Sequence, residues 1–320
     1  MELAKQTMVA AQKAGADAVK LQTYTADTLT IDSDKPWFRI NSNTLWDGTT
    51  LYELYKKAYT PWEWHEELFA YGKKLGLVVF STPFDYSAVD FLETLGNPIY
   101  KIASFEAMDY PLVSYAAKTG KPMVISTGML SLKEIEEVVQ ACRNAKNNDI
   151  TLLVCTSEYP ALPEDAQLLK IQDLASRFNV KTGLSDHTMG FAVANAAVAL
   201  GACMVEKHFI INRSSGGVDS AFSMDTNEFA QMVESIRIIE KAVSMPDYTP
   251  KSSGRVFARS LFVVQDMKKG EPFTKENLRS IRPSNGLHPK YYRDILGCSA
   301  ACDIERGTPI AWDNIEENIN

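Results

Sequence analysis

The chain has no apolar run of about 18 residues and no signal-like segment, so nothing in it marks export or membrane insertion. Positive charge is short: 33 Lys and Arg against 40 Asp and Glu leave a formal net charge of −7, which argues against a nucleic-acid partner. Cysteine is sparse too. Cys142, Cys155, Cys203, Cys298 and Cys302 include no Cys-x-x-Cys pair, and their odd number leaves no complete disulfide set. Reduced thiols and a cytoplasmic location are expected. What is present is ordinary for a globular protein: 320 residues with 45% hydrophobic content, enough for one large domain and a small one.

From residue 3 to residue 242 helix-like and strand-like segments alternate. Helical stretches at Leu3 to Ala14, Pro61 to Leu75 and Ser87 to Leu95 each precede a short apolar run, at Asp17 to Gln22, Leu77 to Phe80 and Pro98 to Ile102. Further strands are predicted at Pro122 to Ser126, Ile150 to Cys155, Val180 to Leu184 and Ala202 to His208, with a last helix over Thr226 to Ala242. This rhythm predicts an α/β fold with a parallel sheet, and its length favours a closed (β/α)₈ TIM barrel over an open sheet. Seven strands are counted where closure needs eight, and the chain opens on a helix. The count therefore predicts that the first strand lies upstream of Met1, which would be an internal methionine; an open seven-stranded sheet is the alternative.

Two histidines end consecutive apolar runs, in Val180-Lys-Thr-Gly-Leu-Ser-Asp-His187 and Ala202-Cys-Met-Val-Glu-Lys-His208. A parallel barrel places both at the carboxyl edge of neighbouring strands, where such folds put their chemistry. Two neutral imidazoles converging there suit a metal site, and Glu206 shares its strand face with His208. The alternative is two unrelated histidines, one capping a turn and one satisfied in the core. Other polar residues gather at the same strand ends: Lys20 and Gln22, Ser81-Thr82, Lys101 with Ser104 and Glu106, Ser126-Thr-Gly128, Thr156-Ser157 and Ser185. Two lysines among small hydroxyls and a turn glycine suit a phosphate and carboxylate substrate, although each signal taken singly also describes a solvated surface or a turn. Glu106 is a candidate general acid or base.

A Ser-, Pro- and Lys-rich linker over 244–258 separates a barrel domain, 1–243, from a second domain, 259–320. In the latter, Asp266-Met-Lys-Lys-Gly270-Glu-Pro272 is echoed by Asp303-Ile-Glu-Arg-Gly307-Thr-Pro309, an offset of 303 − 266 = 37. Each copy has a turn glycine and a proline opening a new segment, which predicts short strands with single helical turns. The sequence alone favours a purely structural appendage or dimerisation module for this domain.

Lys101-Ile-Ala-Ser-Phe-Glu106, Ser126-Thr-Gly128, Gly183-Leu-Ser-Asp-His187 and Glu206-Lys-His208-Phe, followed by Arg282-Pro, resemble the sialic acid synthase family along the whole chain. Leu45-Trp-Asp-Gly48, Leu51-Tyr-Glu-Leu-Tyr55, Thr60-Pro-Trp-Glu-Trp-His65, Phe257-Ala-Arg-Ser-Leu261 and Gly286-Leu-His-Pro289 are similar to its pseudaminate-forming branch.

The resemblance implies a metal-dependent transferase that condenses phosphoenolpyruvate with an amino sugar, here 2,4-diacetamido-2,4,6-trideoxy-L-altrose. Neuraminate or legionaminate formation is the alternative, and a non-catalytic sugar- or phosphate-binding dimer a third. It further implies a TIM barrel joined to a C-terminal antifreeze-protein-like (SAF) domain in a domain-swapped homodimer. Carried over position by position, His187 and His208 would bind a divalent ion, Mn²⁺ with Mg²⁺ or Co²⁺ as substitutes. Lys20, Thr82, Lys101, Ser104, Ser126, Ser157 and Ser185 would hold phosphoenolpyruvate, and Glu106 would handle protons. Tyr159 and Asp219 would face the sugar, and Arg282 would reach its acyl group from the partner.

Overall fold

The computed structural model describes residues 1–41, 47–217, 219–243, 245–249 and 252–316. Leu45 and Trp46 of the branch motif, and Ser244, Pro250 and Lys251 of the predicted linker, lie outside the described residues. The chain divides into two compact units, Met1–Ser244 and Met245–Asn320. Among the described residues no helix is long and apolar enough to cross a membrane.

In the first unit seven parallel strands pair in chain order: β1 (Ala18–Thr23), β2 (Val78–Pro83), β3 (Tyr100–Ile102), β4 (Met123–Ser126), β5 (Ile150–Cys155), β6 (Lys181–Asp186) and β7 (Val205–Lys207). Helices connect them, as the alternating pattern predicts. The helix Leu132–Asn144 shows why: Ser131 and Glu134 form a reciprocal capping box, and Ile135, Val138, Val139 and Cys142 recur at helical spacing as its buried stripe. Met123, Ile125 and Leu152 of the sheet pack with Leu112, Val113 and Val138 of the helices, and none of the six is more than 1% exposed. Each such side chain contributes about 1.5–3 kcal/mol of burial free energy. The sheet curls until its ends meet, because Lys20 on β1 reaches Glu206 on β7 at 2.8 Å although no backbone ladder joins those strands among the described residues. Between them lies a cavity of about 570 Å³, whose lining includes Lys20, Gln22, Glu206, His208 and Asp219.

Strand bounds differ from expectation where pairing, rather than hydrophobicity, decides them. β2 and β6 run on into polar residues, to Pro83 and Asp186, because the ladder continues there. β7 starts only at Val205, where its register with β6 begins, so Ala202 to Met204 stay outside it.

The second unit is built on β8 (Ser260–Val263) and β9 (Leu278–Ile281), an antiparallel pair. A single turn, Ser252–Arg255, falls inside the predicted linker. The 37-residue repeat is a structural symmetry. Met267 and Ile304 exchange both backbone hydrogen bonds at 2.8 Å. Asp266 accepts from Arg306 N at 2.7 Å, while Asp303 accepts from Lys269 N at 2.9 Å. Gly270 and Gly307 both turn with positive φ, +83° and +92°, which explains a glycine in each copy. Leu261, Val263, Phe273, Leu278 and Ile310, none above 1% exposed, fill its core.

Candidate active site

The parallel ladder delivers alternate side chains of every strand into the barrel, so polar residues at the carboxyl ends converge. Thr82, Lys101, Ser104, Ser126, Ser185 and His187 are all buried. Lys101 donates to Ser126 Oγ at 2.7 Å and stands 3.5 Å from Glu206 Oε1. The same Glu206 oxygen takes Lys20 Nζ at 2.8 Å and the Ser185 hydroxyl at 3.1 Å. Burial would raise the Glu206 carboxyl, but Lys101 and Lys20 together hold it well below the ordinary carboxylate range. Burial pulls Lys101 down to about 8, against the attraction of Glu206. Two ammonium groups sharing one carboxylate form a pocket able to accept a second anion.

Gly128, two residues beyond Ser126, sits against Ser104 and Ser157. Its N–H donates to Ser104 Oγ at 3.1 Å, and a Cβ at this position would stand 2.5 Å from Ser157 Oγ and 3.0 Å from Cys155 O. Glu106 lies in the turn after β3. One of its carboxylate oxygens is buried with no hydrogen-bond partner, and burial pushes the group up to about 7 despite Lys101. A carboxyl poised there can give or take a proton near neutrality.

The histidines follow the ends of β6 and β7, the strands of Ser185 and Glu206, with their ring centroids 5.3 Å apart. His187 Nδ1 meets Thr156 O at 2.8 Å, and His208 Nδ1 faces Asp219 Oδ2 at 3.4 Å. With both Nδ1 atoms engaged by oxygens, the Nε2 lone pairs are the ones left for a ligand. The pair therefore fits a divalent ion. Among the described residues no group of three or more His, Cys, Asp or Glu side chains is arranged to hold a metal, so substrate oxygens and water would complete the coordination. Tyr159 covers this corner, 4.4 Å from the His187 ring and 5.1 Å from Phe222.

Twelve of the thirteen side chains predicted for the site belong to the first unit, while Arg282 is exposed on the second. Glu206, although on the face of His208, was expected only as a neighbour of the metal pair; it is the hub of the anion pocket. Cys155, 4.0 Å from His187 Nδ1 and 3.8 Å from Ser157 Oγ, was not expected, nor was Tyr55, held above its ordinary value by burial and by Glu106. The strand-end position of Cys155 was a usable signal; for Tyr55 there was none beyond its motif.

Fold and site define a TIM-barrel-like enzyme whose carboxyl-edge rim is built to hold an anion. The NeuB family profile matches residues 7–247 and the SAF domain profile residues 258–316. The chain belongs to the NeuB family, with a SAF domain at its C-terminal end. It is 47% identical to the pseudaminic acid synthase of Helicobacter pylori, over 100% of this chain and 95% of that one. A pseudaminic acid synthase of Campylobacter jejuni is 46% identical over 96% of this chain and 90% of its own. Among solved structures, the N-acetylneuraminic acid synthetase of Leptospira borgpetersenii superposes with a TM-score of 0.71 at 30% identity, over 79% of this chain and 84% of that one. The comparisons do not bear out the expectation of a further strand ahead of Met1.

Proposed function

We propose that the chain condenses phosphoenolpyruvate with 2,4-diacetamido-2,4,6-trideoxy-L-altrose and water, giving pseudaminic acid and phosphate. The observation that carries the chemistry is the meeting of Lys20 and Lys101 on one carboxylate, beside His187 and His208 on adjacent strand ends. The sugar follows from the two synthases of that name. Lys20 and Lys101 receive the phosphate and carboxylate of phosphoenolpyruvate, with hydroxyls from Thr82, Ser104, Ser126, Ser157 and Ser185 completing the pocket. His187 and His208 would hold Mn²⁺, or Mg²⁺ or Co²⁺ in its place, which when bound supplies Lewis-acid polarisation of the sugar aldehyde.

Tyr159 and Asp219 flank the open-chain sugar and present its carbonyl carbon to carbon 3 of phosphoenolpyruvate. Attack leaves positive charge at carbon 2 and an alkoxide on the former aldehyde carbon, which takes up a proton from solvent. Ionised Glu106 takes the proton of the water that adds at carbon 2, and as the C–O bond breaks the new hydroxyl gives its proton to the departing phosphate, whose charge the two lysines stabilise. The same reading makes the working unit a cytoplasmic homodimer, domain-swapped so that Arg282 serves the partner's sugar.

Phosphoenolpyruvate labelled with oxygen-18 at its bridging oxygen tests the route. C–O cleavage delivers the label to inorganic phosphate; label retained in the keto acid would overturn it.

A further inference from the structure

His208 follows β7, which is three residues long, half-buried throughout and paired with β6; beyond it a single bridge to Met224 holds the chain, with His208 O accepting from Met224 N at 2.8 Å. Backbone pairing alone is a weak hold on a ligand that must stay in register with His187. Immediately before each histidine stands an ionisable residue, Asp186 before His187 and Lys207 before His208. These two are direct register partners across β6 and β7. Because strand side chains alternate, they project away from the face that bears the histidines.

Their side chains are 1% and 3% exposed, and Lys207 Nζ lies 3.0 Å from Asp186 Oδ2. The pair is also tied to the backbone that leaves His187. Asp186 Oδ1 accepts from Thr188 N at 2.9 Å and from Thr188 Oγ1 at 2.8 Å, while Lys207 Nζ donates to Thr188 O at 2.6 Å. A buried ion pair is a poor way to gain stability, since apolar residues of similar volume do as well or better. What it adds is a fixed geometry. Here both residues that it fixes are chain neighbours of the histidines.

We propose that Asp186 and Lys207 form a clamp that sets the separation and orientation of His187 and His208, and so the affinity of the divalent-ion site. They are positioning residues: neither is directed at substrate or ion, and both act through the backbone of the strand ends. The proposal rests on the reading of the histidine pair given above.

Mn²⁺ titration of the substrate-free full chain, followed by loss of the free-ion EPR signal, tests it, with inorganic phosphate binding measured in parallel as a report on Lys20 and Lys101. Lys207→Met should weaken Mn²⁺ binding about tenfold or more and leave phosphate binding unchanged. Because that variant strands a buried carboxylate, the double variant Asp186→Asn/Lys207→Met, which strands no charge, is the decisive one, with near-UV circular dichroism confirming its fold. A folded double variant that binds Mn²⁺ like the parent, or one that loses Mn²⁺ and phosphate in parallel, would overturn the clamp. His187→Ala separates the two readings: if it binds Mn²⁺ as tightly as the parent, or the parent binds none, the histidine site itself is wrong and the clamp falls with it.

Discussion

Lys20 on β1 and Glu206 on β7 meet at 2.8 Å across the seam between the first and last strands of the sheet. With Lys101 3.5 Å from the same oxygen, the site carries its own counter-ion for one buried and one half-buried cation. Glu206→Gln should lower stability at pH 7 by about 1–3 kcal/mol, less than for a fully buried pair because both groups remain partly exposed. The sign with pH follows from the depressed carboxyl: its contribution is present above the ordinary value of 4.5 and is lost as pH falls below it. The deficit of the variant should therefore shrink in acid. Phosphate should raise the melting temperature of the variant more than that of the parent, and equal shifts would refute the counter-ion role.

Glu106 is held at a cost. Its folded value of about 7 lies above the ordinary 4.5, so the folded state keeps a proton that the unfolded state loses, and stability falls as pH rises between the two. Glu106→Gln should be more stable than the parent at pH 8 by on the order of 2 kcal/mol, with the gain vanishing below about pH 4.5. Urea denaturation at the two pH values measures it. A variant less stable at both would show that the carboxylate is instead satisfied by its surroundings.

Activity should have a narrow pH optimum. Glu106 must be ionised to accept a proton and Lys101 protonated to hold an anion, so kcat/KM should rise through about 7 and fall through about 8. Glu106→Gln should lose the acid limb along with most of the rate. Persistence of that limb in the variant would assign it to another group.

Gly128→Ala should damage the anion pocket while leaving the fold intact, since its Cβ would meet Ser157 Oγ at 2.5 Å in a backbone conformation that alanine accepts. A cost of about 1–3 kcal/mol for the overpacking should appear in the KM for phosphoenolpyruvate rather than in melting temperature. An unchanged KM would remove Ser157 and Ser104 from the pocket.

Much of this was legible in the sequence because it is local. Helix–strand alternation located all seven strands, and strand-end chemistry located Lys101, Ser126 and the histidine pair. What was hidden depends on closure. Nothing near Glu206 in the chain shows that Lys20, on the far side of the sheet, will share its carboxylate. Asp186 and Lys207 lie on the face opposite the histidines, and only the β6–β7 register shows that they are partners. The extension of β6 to Asp186 was missed for the same reason: hydrogen bonding continued where the apolar run stopped.

If Arg282 serves the partner's sugar, inactive Arg282→Ala and inactive His187→Ala proteins should complement when mixed, restoring up to about a quarter of the sites on random dimer exchange. Demonstrated exchange without recovery would confine each site to one subunit.

The central claim is the reaction, and phosphate release from phosphoenolpyruvate against a panel of amino sugars tests it most directly. With Mn²⁺ present, 2,4-diacetamido-2,4,6-trideoxy-L-altrose should support release with a nine-carbon 2-keto acid formed in equal amount, and N-acetylmannosamine should be largely refused. Preference for N-acetylmannosamine, or no release with any sugar of the panel, would contradict it.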